Sequence, residues 1–116
     1  MRAMLAASRL RGIAVAVGWL CATVAGPSFA ADPALAEGRQ LFLDGPGPQP
    51  KCALCHTLKD AGATGQIGPN LDELRPDTAR VAAVIRNGMG PMPAFTTLTD
   101  AQVAALARYV ATVAKP

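Results

Sequence analysis

The sequence predicts an all-α domain of three to four short helices joined by loops. Three segments, 33–43, 77–87 and 99–113, combine helical spacing of apolar residues with residues that start or stop helices. No stretch after residue 30 has a convincing strand pattern. A third observation is the run Cys52 to His56, CALCH, which contains the chain's single histidine. Its chemistry indicates what the helices enclose.

Residues 1–30 are predicted to be a secretory signal peptide that is cleaved before Ala31. The apolar segment 12–25 is followed by small residues at 28–30 and preceded by a basic start that consists of Arg2, Arg9 and Arg11. A membrane anchor is the alternative, but about 14 apolar residues are fewer than the roughly 20 that a spanning helix needs. We therefore expect export to the periplasm, no membrane span after cleavage, and one domain at 31–116.

Cleavage would also change the charge and the cysteine content. The net charge of +3 comes from 11 basic and 8 acidic residues, and the three leader arginines account for the whole excess. The mature domain is therefore balanced and lacks the clustered basic face that nucleic-acid binding requires. Cys21 leaves with the leader, so only Cys52 and Cys55 remain. A domain this small often needs a disulfide, metal or cofactor to complete its core.

Three chemistries compete for the Cys-x-x-Cys-His motif. A structural zinc site wants four Cys or His ligands, and the mature chain offers only Cys52, Cys55 and His56. A thioredoxin-like redox pair would begin a helix in a strand-helix-strand unit, which the sequence does not predict. Covalent attachment of a c-type haem needs no further cysteine, because each thiol adds to one porphyrin vinyl group and the adjacent histidine becomes an axial iron ligand. We therefore expect one haem c per chain, with the helices and loops wrapped around it.

The first helix is predicted from Pro33 to Leu43. Asp32 is its candidate N-cap, and Pro33 occupies the first helical position, where a missing amide proton costs least. Gly38 is costly in a helix interior unless another backbone approaches it closely. The segment 44–50, DGPGPQP, ends the helix in a stiff surface loop.

The other two helices have clear signals at their ends. The second runs from Asp77 to Asn87, and Gly88 stops it. The third begins with a capping box at Thr99 to Gln102. It continues with apolar residues at helical spacing, namely Val103, Leu106, Val110 and Val113.

Two loops carry residues that could complete a haem site. In IGPNL, Ile67 to Leu71, the Pro69 carbonyl could accept a hydrogen bond from the second nitrogen of His56, although an ordinary turn explains the stretch equally well. Met92 and Met89 are the two methionines of the mature chain and the remaining candidates for the sixth iron position. Met92 lies in a stiff Pro-Met-Pro segment, whereas glycines flank Met89; either side chain could instead fill a gap.

The sequence resembles the small monohaem class I cytochromes c over about residues 37–114. The shared pieces are CALCH, then GPNL, then NGMGPMPAF, framed by EGRQLF and LARYV. The resemblance implies that Met92 rather than Met89 is the distal ligand and that Pro69 accepts the His56 hydrogen bond. It also implies a crossing of the first and last helices through a set of four residues, namely Gly38, Phe42, Leu106 and Tyr109.

The resemblance implies a single-electron carrier rather than an enzyme. The spacing from CALCHTL through AGATGQIGPNLDEL to MPAF also resembles that of cytochrome subunits that accept electrons from periplasmic molybdenum-containing sulfite dehydrogenases. The implied donor is therefore a periplasmic oxidoreductase, and the acceptor a terminal oxidase or another cytochrome. Two alternatives are a cytochrome subunit bound permanently in such a complex and a gas-binding or peroxidatic haem protein with a labile distal methionine. The mature chain has no tryptophan to contact a propionate and no lysine-rich face.

Overall fold

The computed structural model describes residue 26 and residues 32–116. The predicted signal peptide, 1–30, and its cleavage site therefore lie outside the described residues, apart from Gly26. Within the described part, no helix is both long enough and apolar enough to cross a membrane.

Helices dominate the described chain, as the sequence predicts. They are α1 (Pro33–Asp44), α2 (Cys52–Cys55), α3 (Leu71–Leu74), α4 (Thr78–Asn87) and α5 (Asp100–Val113). The three longer helices, α1, α4 and α5, lie within a residue of their predicted bounds. The single-turn helices α2 and α3 were not predicted, because four residues are too few to show a helical period.

A short antiparallel pair corrects the expectation that no strand occurs. Strands β1 (Thr57–Leu58) and β2 (Ala63–Thr64) pair with Thr57 opposite Thr64, and a 3-10 turn at Lys59–Ala61 connects them. Gly62 has a left-handed backbone, with φ of 64°, at the end of that turn. Strands of two residues cannot display alternation, so sequence periodicity could not reveal them.

The predicted residues cap α1 and α5 and end α4, whereas the cap of α4 at Asp77 was not predicted, because the helix was expected to begin at that residue. The side chains of Asp32 and Asp77 accept backbone hydrogen bonds in the first turns of α1 and α4, at 3.0 and 2.7 Å. The capping box of α5 is complete: the Thr99 amide donates to Gln102 Oε1 at 2.9 Å, and the Gln102 amide donates to Thr99 Oγ1 at 3.2 Å. Gly88 ends α4 with φ of 71°.

The crossing of α1 and α5 explains the glycine inside α1. Gly38 packs so closely on α5 that an added Cβ would lie 2.5 Å from Tyr109 Cβ and would overlap the Ala105 carbonyl. One turn later, the rings of Phe42 and Tyr109 meet edge to face, with centroids 6.2 Å apart. Such pairs contribute about 0.5–1.5 kcal/mol beyond their area burial. The predicted crossing of the terminal helices is therefore present.

The buried carboxylate of Asp72 connects three segments of the chain. Asp72, at the start of α3, is only 5% exposed. Its oxygens accept hydrogen bonds from the backbone amides of Lys59, at 2.8 Å, and Lys115, at 3.3 Å. These bonds offset the desolvation of the buried group and tie α3 to the 3-10 turn and to the C-terminal residues.

Candidate haem-binding site

An apolar cavity of about 560 Å³ lies where all the longer helices meet. Phe42 contributes from α1, Ile85 from α4 and Leu106 from α5. The charged side chains in its lining are Lys51 and Arg80, and the lining contains no Asp or Glu. A flat aromatic molecule with a mostly apolar body suits these walls.

Helix α2 brings both cysteines of the described residues to this cavity. Cys52 and Cys55 are the first and last residues of the single turn, and both line the cavity as free thiols. Side chains three positions apart share one helix face, so the two sulfur atoms approach a ligand from the same side. Burial, with a smaller contribution from Cys55, raises the pKa of the Cys52 thiol to about 11. In the haem-free chain this group is therefore a neutral thiol at neutral pH.

His56 directly follows the helix and also lines the cavity. Its Nδ1 lies 2.8 Å from the carbonyl oxygen of Pro69. A carbonyl can only accept, so Nδ1 carries the proton and the lone pair lies on Nε2. An imidazole whose Nδ1 is held in this way is oriented for metal ligation through Nε2.

Two glycines let the loop after β2 lie against the Cys-x-x-Cys-His turn. A Cβ on Gly65 would lie 2.6 Å from the Leu54 carbonyl oxygen, and a Cβ on Gly68 would lie 2.5 Å from His56 Cε1. The Gly68 amide donates to the Cys55 carbonyl at 2.7 Å, which fastens the loop in this position. The absence of a side chain at both glycines thus allows Pro69 to reach the imidazole.

Both methionines of the described chain lie on one tight hairpin after α4. Met89 and Met92 exchange two backbone hydrogen bonds of 3.0 Å, with Gly90 at φ of 55° in the turn between them. Directly paired residues of an antiparallel ladder project to the same face, and both side chains line the cavity. Met92 packs against the core, whereas Met89 is 60% exposed.

The rim of the cavity is unusually apolar for a protein surface. Ile67 is 75% exposed and Leu74 is 45% exposed, and both line the cavity together with Met89. The walls, two thiols, an oriented imidazole and two thioethers therefore match the chemistry of a covalently attached haem. Within residues 32–116, by contrast, no group of three or more His, Cys, Asp or Glu side chains is placed to share a metal ion.

Four residues of this site were not identified from the sequence. Gly65 and Gly68 belong to a glycine-rich stretch whose close contacts depend on tertiary packing. Lys51 enters the lining from the residue before α2, and Arg80 enters it from α4. The position of Lys51 next to the motif was a usable signal, but nothing local marks Arg80.

The fold and this cavity together define a c-type cytochrome domain. Residues 33–110 match the family model described as cytochrome c oxidase, cbb3-type, subunit III, and the chain belongs to this family of cytochrome c domains. It is 35% identical to cytochrome c6 of Cyanidioschyzon merolae over 95 residues, which cover 75% of this chain and 80% of that protein.

A solved structure agrees with this assignment. The c-type cytochrome SorU from Sinorhizobium meliloti is 56% identical and superposes with a TM-score of 0.66, covering 72% of this chain and 94% of the SorU chain. The protein is accordingly a monohaem c-type cytochrome with covalently bound haem c, an electron carrier that exchanges electrons with redox partners rather than an enzyme.

Proposed function

We propose that this chain is a periplasmic single-electron carrier whose haem iron is ligated by His56 and Met92. Cys52 and Cys55 form the thioether bonds, and the Pro69 carbonyl orients His56. The observation that carries this proposal is the convergence of both thiols, His56 and Met92 on one apolar cavity. The leader at residues 1–30 would direct export and then be removed.

The chain's own residues would determine the properties of the centre. When bound, haem c supplies a one-electron Fe(III)/Fe(II) couple. The Met92 thioether, a soft ligand, would favour the ferrous state and raise the potential, and His56 would be the other protein ligand. Two protein ligands exclude small molecules from the iron, which suits electron transfer and disfavours gas binding or peroxide chemistry.

Lys51 and Arg80 are the candidates to face the two porphyrin carboxylates. They are the charged side chains in a lining without acids, and a haem-binding domain without tryptophan must meet these carboxylates with other donors. Cations near the haem also stabilise the reduced iron, since reduction removes one positive charge.

The proposed electron donor is a periplasmic dehydrogenase, and a molybdenum-containing sulfite dehydrogenase is the specific candidate. The sequence resemblance to cytochrome partners of such enzymes motivates this choice. The acceptor would be a terminal oxidase or another cytochrome. Permanent assembly with the dehydrogenase is the alternative to free diffusion. Co-purification at high salt would favour the assembled form.

Haem attachment can be tested by mass spectrometry of the exported protein after acid-acetone extraction. We expect a chain that begins at Ala31 and keeps the mass of one haem, and Cys52→Ala or Cys55→Ala should leave at most one thioether bond and a poor yield. Haem that is extracted from the unmutated protein would contradict covalent attachment. A chain that begins elsewhere would contradict only the cleavage site.

The donor can be tested by mixing the ferric cytochrome with a sulfite dehydrogenase and sulfite. We expect reduction of the haem that requires both the enzyme and sulfite, with two cytochromes reduced per sulfite oxidised. No reduction with active enzyme would reject this donor and leave the electron-carrier role intact.

A further inference from the structure

One glutamine connects the segment before the Cys-x-x-Cys-His motif to the loop that carries both methionines, residues 88–97, here called the methionine loop. The half-buried Gln49 lies between Pro48 and Pro50, three residues before Cys52. Its Nε2 donates to the Ala94 carbonyl oxygen at 3.0 Å, and its Oε1 accepts from the Thr97 hydroxyl at 3.0 Å. A carbonyl only accepts, so the orientation of the amide is determined.

Apart from the Gln49 bridge, the hydrogen bonds that tie the methionine loop to an earlier element within residues 32–116 go to α4. The first residue of the loop, Gly88, donates to the Val84 carbonyl at 2.8 Å, and Phe95 donates to the Ile85 carbonyl at 2.8 Å. Both anchors lie in the last turns of α4, and the pair between Met89 and Met92 is internal to the loop. Among residues 32–116, the hydrogen bonds that connect residues 88–97 to the segment 45–56 all come from Gln49.

We propose that Gln49 is a positioning residue that holds the methionine loop at a fixed distance from the Cys-x-x-Cys-His segment, which carries His56. The inference rests on the proposed role of Met92 as the distal ligand. Both segments that the bridge connects are stiff, because prolines flank Gln49 in the first segment and Met92 in the second. A side chain between two such segments restrains the separation of the axial ligands at little further cost in conformational entropy.

The expected consequence is a lower population of states in which Met92 has left the iron. An external ligand such as imidazole can bind the ferric iron only in those states, so its apparent affinity is proportional to their population. Loss of both Gln49 hydrogen bonds should raise that population, and hence the imidazole affinity, by about tenfold. The reduction potential should fall as the thioether bond weakens.

The experiment titrates imidazole into the ferric holoprotein and follows the sulfur-to-iron charge-transfer band, with the potential measured on the same samples. Gln49→Leu removes both hydrogen bonds and should bind imidazole about tenfold more tightly. Gln49→Glu keeps the acceptor for Thr97 but cannot donate to Ala94 at neutral pH, and Thr97→Val removes the other bond. These two variants should give smaller increases, and Thr97→Ser should match the unmutated protein.

A control separates positioning from general stability. Asp32→Ala removes the α1 cap and the ion pair with Arg108, far along the chain from the methionine loop. It should lower resistance to denaturant without changing the imidazole affinity. Unchanged imidazole affinity and potential in Gln49→Leu and Gln49→Glu would overturn the inference. Absence of the sulfur-to-iron band in the unmutated protein would instead overturn the Met92 ligation on which it rests.

Discussion

At the residue scale, the two methionines of the described chain are the candidates for the proposed distal ligand. The pairing of Met89 with Met92 places both side chains on the same face of the hairpin, so direction alone does not distinguish them. Burial does, because Met92 packs against the core while Met89 is 60% exposed. A partly buried thioether would lose less conformational freedom on binding the iron than an exposed one, and this favours Met92.

We expect Met92→Ala to abolish the sulfur-to-iron band of the ferric spectrum, lower the potential, and open the iron to carbon monoxide. Met89→Ala should keep the band and the potential, and the iron should stay closed to carbon monoxide. The variant should cost about 1 kcal/mol of stability or less. The measurement is the spectrum of the folded ferric protein, because loss of the distal bond also frees the loop. A band that survives in the Met92 variant and disappears in the Met89 variant would reverse the assignment.

Arg80 provides a second test at the residue scale. If its guanidinium faces a porphyrin carboxylate, Arg80→Gln should lower the potential by about 10–40 mV, since exposed charge pairs contribute roughly 0.2–1 kcal/mol and 59 mV corresponds to 1.4 kcal/mol. Arg86→Gln is the matched control, because Arg86 lies on the same helix but pairs with Asp100 at 3.1 Å and is outside the lining. Equal shifts in both variants would argue against a specific contact.

At the scale of elements, the contact of α1 with α5 depends on the aromatic pair Phe42–Tyr109 and on a hydrogen bond from the Tyr109 hydroxyl. Tyr109 is 1% exposed, and its hydroxyl donates to Asp60 Oδ2 at 2.6 Å. Burial, followed by this hydrogen bond and the charge of Asp60, raises the pKa of Tyr109 well above its usual value of 10.0. The tyrosine thus links the terminal helices to the 3-10 turn.

This pKa shift predicts a loss of stability in alkaline solution. Above pH 10 the unfolded chain releases the Tyr109 proton while the folded chain keeps it, so the stabilisation present at lower pH falls by about 1.4 kcal/mol per pH unit. The stability advantage over Tyr109→Phe should therefore shrink by about 1.4 kcal/mol between pH 9 and pH 11. Denaturant unfolding of both proteins across this range is the measurement. A constant difference would show that the tyrosine does not titrate differently on folding.

For the whole molecule, charge balance predicts how it meets its partners. Residues 32–116 contain as many basic as acidic side chains, and the cavity rim carries exposed Ile67, Leu74 and Met89. Strong electrostatic steering can raise association rates by 10 to 1,000-fold, but it needs a large charged patch. Docking of this chain should therefore depend mainly on apolar contact around the haem edge.

We expect the rate of electron transfer from the native donor to change less than about tenfold between low and physiological salt. Stopped-flow reduction at increasing ionic strength is the measurement. Substitution of exposed Ile67 by Ser should slow the reaction more than added salt does. A decrease of several hundredfold with salt would indicate that a charged patch controls docking.

The sequence by itself determined the features that depend on residues close together in the chain. Caps at Asp32 and Thr99 act on amides within three residues, so they appear in the sequence itself. The Cys-x-x-Cys-His motif is equally local, because it occupies five consecutive residues, 52–56. These features established the all-α class, the three longer helices and the covalent cofactor.

The contacts between distant segments that the family resemblance did not imply were decided only by the tertiary structure. Gln49 and Ala94 are 45 positions apart, and the fit of Gly68 against His56 depends on how the loop after β2 returns to α2. Neither follows a repeating pattern, since each is a single approach set by the packing of whole helices. Sequence periodicity reports which face of an element is buried, whereas the partner across that face depends on the closed fold.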